Sequence, residues 1–155
     1  MNNRGIVLVS VLCLLLGLAV FSGGCTAPAD SGGNPGNTVS EPVEKVEVYH
    51  FHATRQCYSC TILGAYAEET VNTYFAPELA AGRVVFAHVN VDLPENRDLV
   101  DRYRPTGSSL WIGVYDDEGF YKEENVNVWY KIGNKDEYMA YLKEVIGKRL
   151  AGDFS

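Results

Sequence analysis

Cys57-Tyr58-Ser59-Cys60 stands between two segments of different periodicity, and that position constrains the fold more than any other feature of the chain. Before it, Lys45-Val46-Glu47-Val48-Tyr49-His50-Phe51-His52 alternates and is rich in strand formers. After it, Leu63, Ala67, Thr70, Val71 and Tyr74 recur at helical spacing. Two thiols so placed, at a strand-to-helix turn, can close a small disulfide ring. The unpaired N–H groups and dipole of a helix N-terminus favour the thiolate of the first. That is the layout of a thiol–disulfide redox site. The same pair would also suit a metal ion, or a static disulfide in an exported protein, so its surroundings have to decide.

The rest of the chain supplies those surroundings. The first helix is expected to end near Phe75-Ala76-Pro77, because proline disfavours helix at the residue before it. Val84-Val85-Phe86-Ala87-His88-Val89 is a continuous apolar run of the kind found in a central strand buried on both faces. Asp92-Leu93-Pro94-Glu95 reads as a helix cap with proline in the first turn, and the helix that follows carries Leu99, Val100 and Tyr103. Ser109 to Tyr115 is a third strand, and Asp116-Asp117-Glu118-Gly119 a hairpin turn. Phe120 to Ile132 returns as one or two strands. Asn134 caps a last helix, with Glu137 at the capping-box position and an apolar stripe of Tyr138, Tyr141, Leu142, Val145, Ile146 and Leu150. The order β-α-β-α-β-β-α, with a right-handed crossover joining a parallel first pair, predicts a central mixed sheet flanked by helices on both faces.

With a Cys pair between the first strand and first helix of that order, the chain resembles the thioredoxin-like superfamily over about residues 45 to 150. Val89-Asn90-Val91-Asp92 looks like the end of that family's second parallel strand and the loop after it. The resemblance implies an exposed nucleophile at Cys57 and a buried resolving thiol at Cys60. It implies reduction, oxidation or isomerisation of disulfides in client proteins, with no cofactor beyond the Cys57–Cys60 disulfide. The chain departs from the family in three places. Gln56 and Tyr58-Ser59 replace the usual residues around the cysteines. Phe51 stands where many thioredoxins bury an aspartate. Ser108 or Ser109 falls at the place of the family's cis-proline, the nearest proline being Pro105. Arg55 adds a positive charge beside the pair, and Ser109 and Ser59 are the remaining supporting candidates.

The N-terminus speaks to location. Met1-Asn2-Asn3-Arg4 is a short positive stretch, and Ile6 to Phe21 is an almost unbroken apolar run. With the small residues Ser22-Gly23-Gly24 before Cys25, residues 1–24 read as a signal peptide. The Cys after two glycines resembles the lipobox of prokaryotic lipoproteins, although Ser22 stands where leucine is usual. That resemblance implies diacylglycerol on Cys25; the alternatives are an uncleaved anchor helix and an ordinary secretory signal. Residues 25–44, rich in Gly, Ser, Pro and Asn, then form a flexible linker to a domain at 45–155. Cys13 leaves with the signal, so Cys57 and Cys60 are the cysteines of the folded domain. The expected location is the outer side of the cytoplasmic membrane, in the periplasm or at the cell surface, where a disulfide persists. A formal charge of -7 and the absence of any basic stripe argue against nucleic acid as a partner. The domain is expected to be a monomer that meets client proteins and is reset by a membrane electron donor or a client thiol.

Other chemistry-bearing residues have competing explanations. His50 and His52 alternate on one strand, so both rings project to one face. With Cys57 and Cys60 they form a His-x-His and Cys-x-x-Cys set suited to Cu or Zn, against ordinary strand histidines hydrogen-bonded or half exposed. His88 reads as a satisfied core or edge residue. Trp111, Trp129 and the tyrosines read as core, or as a client-binding rim to which Tyr58 contributes. Asp116-Asp117-Glu118 and Glu123-Glu124 lack calcium-loop spacing and read as solvated turns. Three functions follow: a membrane-tethered oxidoreductase, a metal carrier using the Cys pair with His50 or His52, and a non-catalytic interaction domain stapled by its disulfide.

Overall fold

The structure, a computed structural model, describes residues 43–155; the signal peptide, Cys25 and most of the linker expected from the sequence lie outside the described residues. The elements are β1 (Lys45–His52), α1 (Tyr58–Tyr74), α2 (Ala76–Ala80), β2 (Val84–Asn90), α3 (Arg97–Tyr103), β3 (Ser109–Asp116), β4 (Gly119–Glu124) and α4 (Lys135–Leu150). Short 3-10 turns at Pro94–Asn96 and Val126–Lys131 complete them. The sheet order is β2-β1-β3-β4, with β1 parallel to β2 and antiparallel to β3, and β4 antiparallel to β3. A mixed sheet with helices on both faces and the Cys pair after β1 is a thioredoxin-like fold. Among the described residues no helix is long and apolar enough to cross a membrane.

Strand alternation sorts the core into two layers. Val46 and Val48 of β1 and Leu110, Ile112 and Val114 of β3 pack against Leu63, Ala67 and Val71 of α1 and Tyr138, Leu142 and Ile146 of α4. Tyr49 and Phe51, the alternate residues of β1, pack with Val89 and Tyr103 against α3 on the other face. The Tyr138 hydroxyl donates to the Leu63 carbonyl at 2.8 Å and ties α4 to α1. Val43 is buried in the first layer and the Glu44 N–H bonds the Tyr115 carbonyl at 2.8 Å. The fold therefore takes in two residues that the composition assigns to the linker.

Several expectations are corrected. β2 is an edge strand and not a central one: its apolar run reflects two covered faces, which an edge strand of a three-layer sandwich also has. Of the one or two strands expected from Phe120 to Ile132, one forms, β4, and it ends at Glu124. At Asn125 the chain leaves the sheet, its N–H on the Leu110 carbonyl and its side chain accepting from the Tyr141 hydroxyl, and Val126–Lys131 crosses as a 3-10 turn that buries Val128. The alternation of Val126 and Val128 imitates a strand over too short a run to distinguish the two. Asp92 caps no helix; its carboxylate serves the loop before the cysteines. At α4, Asn134 does cap, accepting from the Glu137 N–H at 3.2 Å, but the Glu137 carboxylate pairs with Lys131 at 2.7 Å and does not close the capping box. Tyr74 ends α1 exposed and outside the core.

Candidate active site

The Cys pair sits where β1 hands the chain to α1. Cys57 is the N-cap of α1, with extended backbone at φ -74° and ψ 161°, and its Sγ accepts from the Cys60 N–H at 3.0 Å. The Cys57 carbonyl accepts from the Thr61 N–H at 3.0 Å, opening the helix. An N-cap turn of this kind brings residues three apart together, and Cys57 and Cys60 form a disulfide across a Cα–Cα distance of 5.0 Å. Cys57 is exposed and Cys60 half-buried.

The loop that carries them, Ala53 to Gln56, is braced from β2. The Thr54 N–H donates to Asp92 Oδ2 at 2.8 Å, and Asn90 Nδ2 donates to Thr54 Oγ1 at 3.0 Å. The Asp92 N–H returns to Asn90 Oδ1 at 3.0 Å, and Asn96 Nδ2 donates to the Asn90 carbonyl at 2.9 Å. The Thr54 N–H and hydroxyl hold the Asp92 carboxyl below the usual carboxylate range. These bracing residues were missed as site residues. The one signal available is the pair of polar residues Asn90 and Asp92 at the end of an apolar strand, where the sequence reading has a strand end and loop, with Asp92 as a cap.

The supporting candidates separate. Arg55 and Tyr58 are exposed beside Cys57, Tyr58 at 82%, and Ser59 is half-buried in the first turn of α1. Ser109 is buried and committed to structure, donating to the Gly107 carbonyl and accepting from Trp111 Nε1, both at 3.1 Å. It pairs with Phe51, whose ring lies on the α3 side of the sheet, so of the two serines it is Ser108 that faces the α1 side, 3.4 Å from His50 Nε2. Among the described residues there is no cis peptide bond. Trp111 and Trp129 are half-buried against the two core layers, as expected for core. Asp116 Oδ1 accepts from the Glu118 and Gly119 N–H groups, both at 3.0 Å, which makes it a turn residue.

The histidines do project to the α1 face, and His88 joins them there. His50 Nδ1 and His88 Nδ1 are 2.9 Å apart, and His88 Nε2 lies 3.3 Å from Glu68 Oε2 of α1. Burial, with the His88 and His52 rings adding to it, pushes the His50 imidazole down to about 3, so it is neutral at physiological pH. A cavity of about 300 Å3 opens beside the motif, lined by the three histidines and Glu68 and by Gln56 and Thr61, the neighbours of the two cysteines. Among the described residues the thiols and histidines are not gathered into a common metal-holding group.

No protein-family model and no curated protein matches the chain. Among solved structures, the solution structure of a thioredoxin from Thermus thermophilus is similar at 22% identity. It covers 67% of this chain and 75% of its own, with a TM-score of 0.44.

Proposed function

We propose that the protein is a thiol–disulfide oxidoreductase, tethered outside the cytoplasmic membrane, acting on disulfides of client proteins through Cys57 and Cys60. The observation that supports this best is the asymmetry of the pair. Cys57 is exposed and caps α1, while Cys60 is half-buried one turn in and already within bonding distance of it. In the reduced protein the Cys57 thiolate attacks one sulfur of a client disulfide. The Cys57–client bond forms, the client S–S bond breaks, and the departing client thiolate takes a proton. The Cys60 thiolate then attacks Cys57 Sγ. The 57–60 ring closes and the second client thiolate leaves. Two electrons pass from the dithiol to the client, and a membrane electron donor, or a pair of client thiols that become a disulfide, returns them. Run in reverse, the same steps oxidise client dithiols.

The tether rests on sequence: a diacylglycerol thioether on Cys25, and residues 26–42 as spacer. One equilibrium can serve both directions, so the test is turnover. The full chain is expected to accelerate insulin reduction by dithiothreitol, and the Cys57→Ser chain to give the rate of dithiothreitol alone. No acceleration by the unmutated chain would remove the oxidoreductase reading. For the tether, Cys25→Ser is expected to move the protein from the membrane to the soluble fraction. Retention as an integral membrane protein would favour an uncleaved anchor helix instead.

A further inference from the structure

Three imidazoles meet on the α1 face of the sheet. His50 and His52 are alternate residues of β1, and His88 lies opposite His50 in the parallel register of β2. The ring centroids of His50 are 5.2 Å from those of both His52 and His88, and the latter two are 6.3 Å apart. A tetrahedral zinc ion with Zn–N bonds of about 2.0–2.1 Å holds ligating nitrogens about 3.3 Å apart and their ring centroids about 5 Å apart. The two shorter centroid distances are close to that centroid spacing; the 2.9 Å between His50 Nδ1 and His88 Nδ1 is a hydrogen bond between the two rings, which a metal ion would replace.

The second nitrogen of each ring is held from outside. His88 Nε2 faces the Glu68 carboxylate at 3.3 Å, and His52 Nδ1 faces the Ala53 carbonyl at 2.9 Å. Those oxygens only accept, so these two nitrogens carry the ring hydrogens, an assignment made from the partners. His88 Nδ1 and His52 Nε2 are left with lone pairs. His50 Nε2 faces Ser108 Oγ, which can accept, so His50 can move its hydrogen there and turn its own Nδ1 lone pair inward with no net proton released. A carboxylate behind His88 and a carbonyl behind His52 make the arrangement that orients ligating histidines. Gly64 makes room for it: a Cβ there would stand 2.1 Å from His50 Nδ1. As the chain stands, no three donors among the described residues are closed around one point. His50 and His88 are already paired through their Nδ1 atoms, and a ligand role for His52 needs its Nε2 to swing inward with Nδ1 kept on the Ala53 carbonyl.

We propose that His50, His52 and His88 form a site for a divalent first-row metal ion of the zinc class, with Glu68 as the outer partner of His88 and the fourth position open to the adjoining cavity. Imidazole donors suit Zn, Cu and Ni over Mg or Ca. The site needs neither Cys57 nor Cys60, and it stands apart from the oxidoreductase reading.

The test uses the full chain carrying Cys57→Ser and Cys60→Ser, with its remaining thiols alkylated, titrated with Co2+ and then Zn2+. One equivalent of Co2+ is expected per chain, with visible d–d absorption and no thiolate charge-transfer band, and displacement by Zn2+. His88→Ala and His52→Ala, neither of them at a fully buried position, are each expected to weaken uptake at least about tenfold, and Glu68→Gln about tenfold. Thermal melts of the same variants establish that they are folded. No stoichiometric uptake by the parent chain, or uptake unchanged in folded His88→Ala, would overturn the site. Uptake by the unmutated reduced chain that is lost with the two serines would assign the ion to the cysteines instead.

Discussion

A Cys60→Ser chain expressed in its own cells is expected to accumulate as a covalent adduct with client protein, and a Cys57→Ser chain to accumulate none. The reason lies in the order of the two steps. The first attack needs an accessible sulfur, and Cys57 is the exposed residue at the cap. The second needs a thiol fixed one helical turn away, and Cys60 provides it. Without Cys60 the mixed disulfide has no intramolecular attacker and persists until an outside thiol reaches it. Without Cys57 the half-buried Cys60 is left to meet a client, and its approach is hindered by the packing of α1. Non-reducing gels followed by reduction of the excised adducts provide the readout. The reduced chain should also be alkylated at Cys57 before Cys60 at neutral pH. If Cys60→Ser forms no adduct, and Cys57 reacts no faster than an ordinary thiol of pKa about 8.5, the oxidoreductase mechanism is wrong. A non-catalytic staple predicts that outcome.

The legible parts of this protein were those where local pattern and tertiary environment agree. β1 alternates because its two faces meet different layers, so its bounds and inward residues were readable. The Cys pair was readable because a turn between strand and helix is a local event. Strand position was not readable: β2 has two covered faces, and nothing in Val84–Asn90 reports that one of its edges is open. The bracing of the cysteine loop by Asn90 and Asp92 depends on a parallel neighbour thirty-odd residues away in sequence, as the Thr54–Asp92 bond illustrates. His88 reads in the sequence as a satisfied core or edge residue, and on the edge strand β2 it is one, bonded to His50 and Glu68; its partners could not be read for the same reason. It stands opposite His50, and register between parallel strands is set by the whole crossover.

Gly113→Ala is expected to cost about 3–5 kcal/mol, although alanine is ordinarily the better residue inside a strand. Gly113 lies in β3 directly opposite Glu47 of β1, and the Tyr103 side chain crosses it to reach that carboxylate. A Cβ at position 113 would stand 2.0 Å from the Tyr103 hydroxyl and 2.9 Å from the Phe120 ring, both side chains that are packed in place. Tyr103 must therefore shift. Glu47, itself only 4% exposed, then loses the 2.8 Å hydrogen bond from Tyr103 and keeps Lys45 at 2.8 Å and the Tyr115 hydroxyl at 3.2 Å. Overpacking of a dense core costs about 1–3 kcal/mol, and a lost hydrogen bond to a buried charge about 1.5–3 kcal/mol. The pH dependence has a definite sign. Burial opposes ionisation of Glu47, but Lys45, Tyr103 and Tyr115 outweigh it and hold its carboxyl below the ordinary value. The stability this provides is present above the unfolded-state pKa and fades as pH falls through the lower folded-state pKa. The penalty of Gly113→Ala should accordingly shrink in acid, where the carboxyl no longer needs its donors. Urea unfolding at neutral and acid pH measures both quantities. Tyr103→Phe removes the oxygen that the new methyl would strike, so Gly113→Ala should cost less in that background than in the parent chain. Additive penalties in the double variant, or a Gly113→Ala chain within about 0.5 kcal/mol of the parent, would show that the glycine is not there to let Tyr103 reach Glu47.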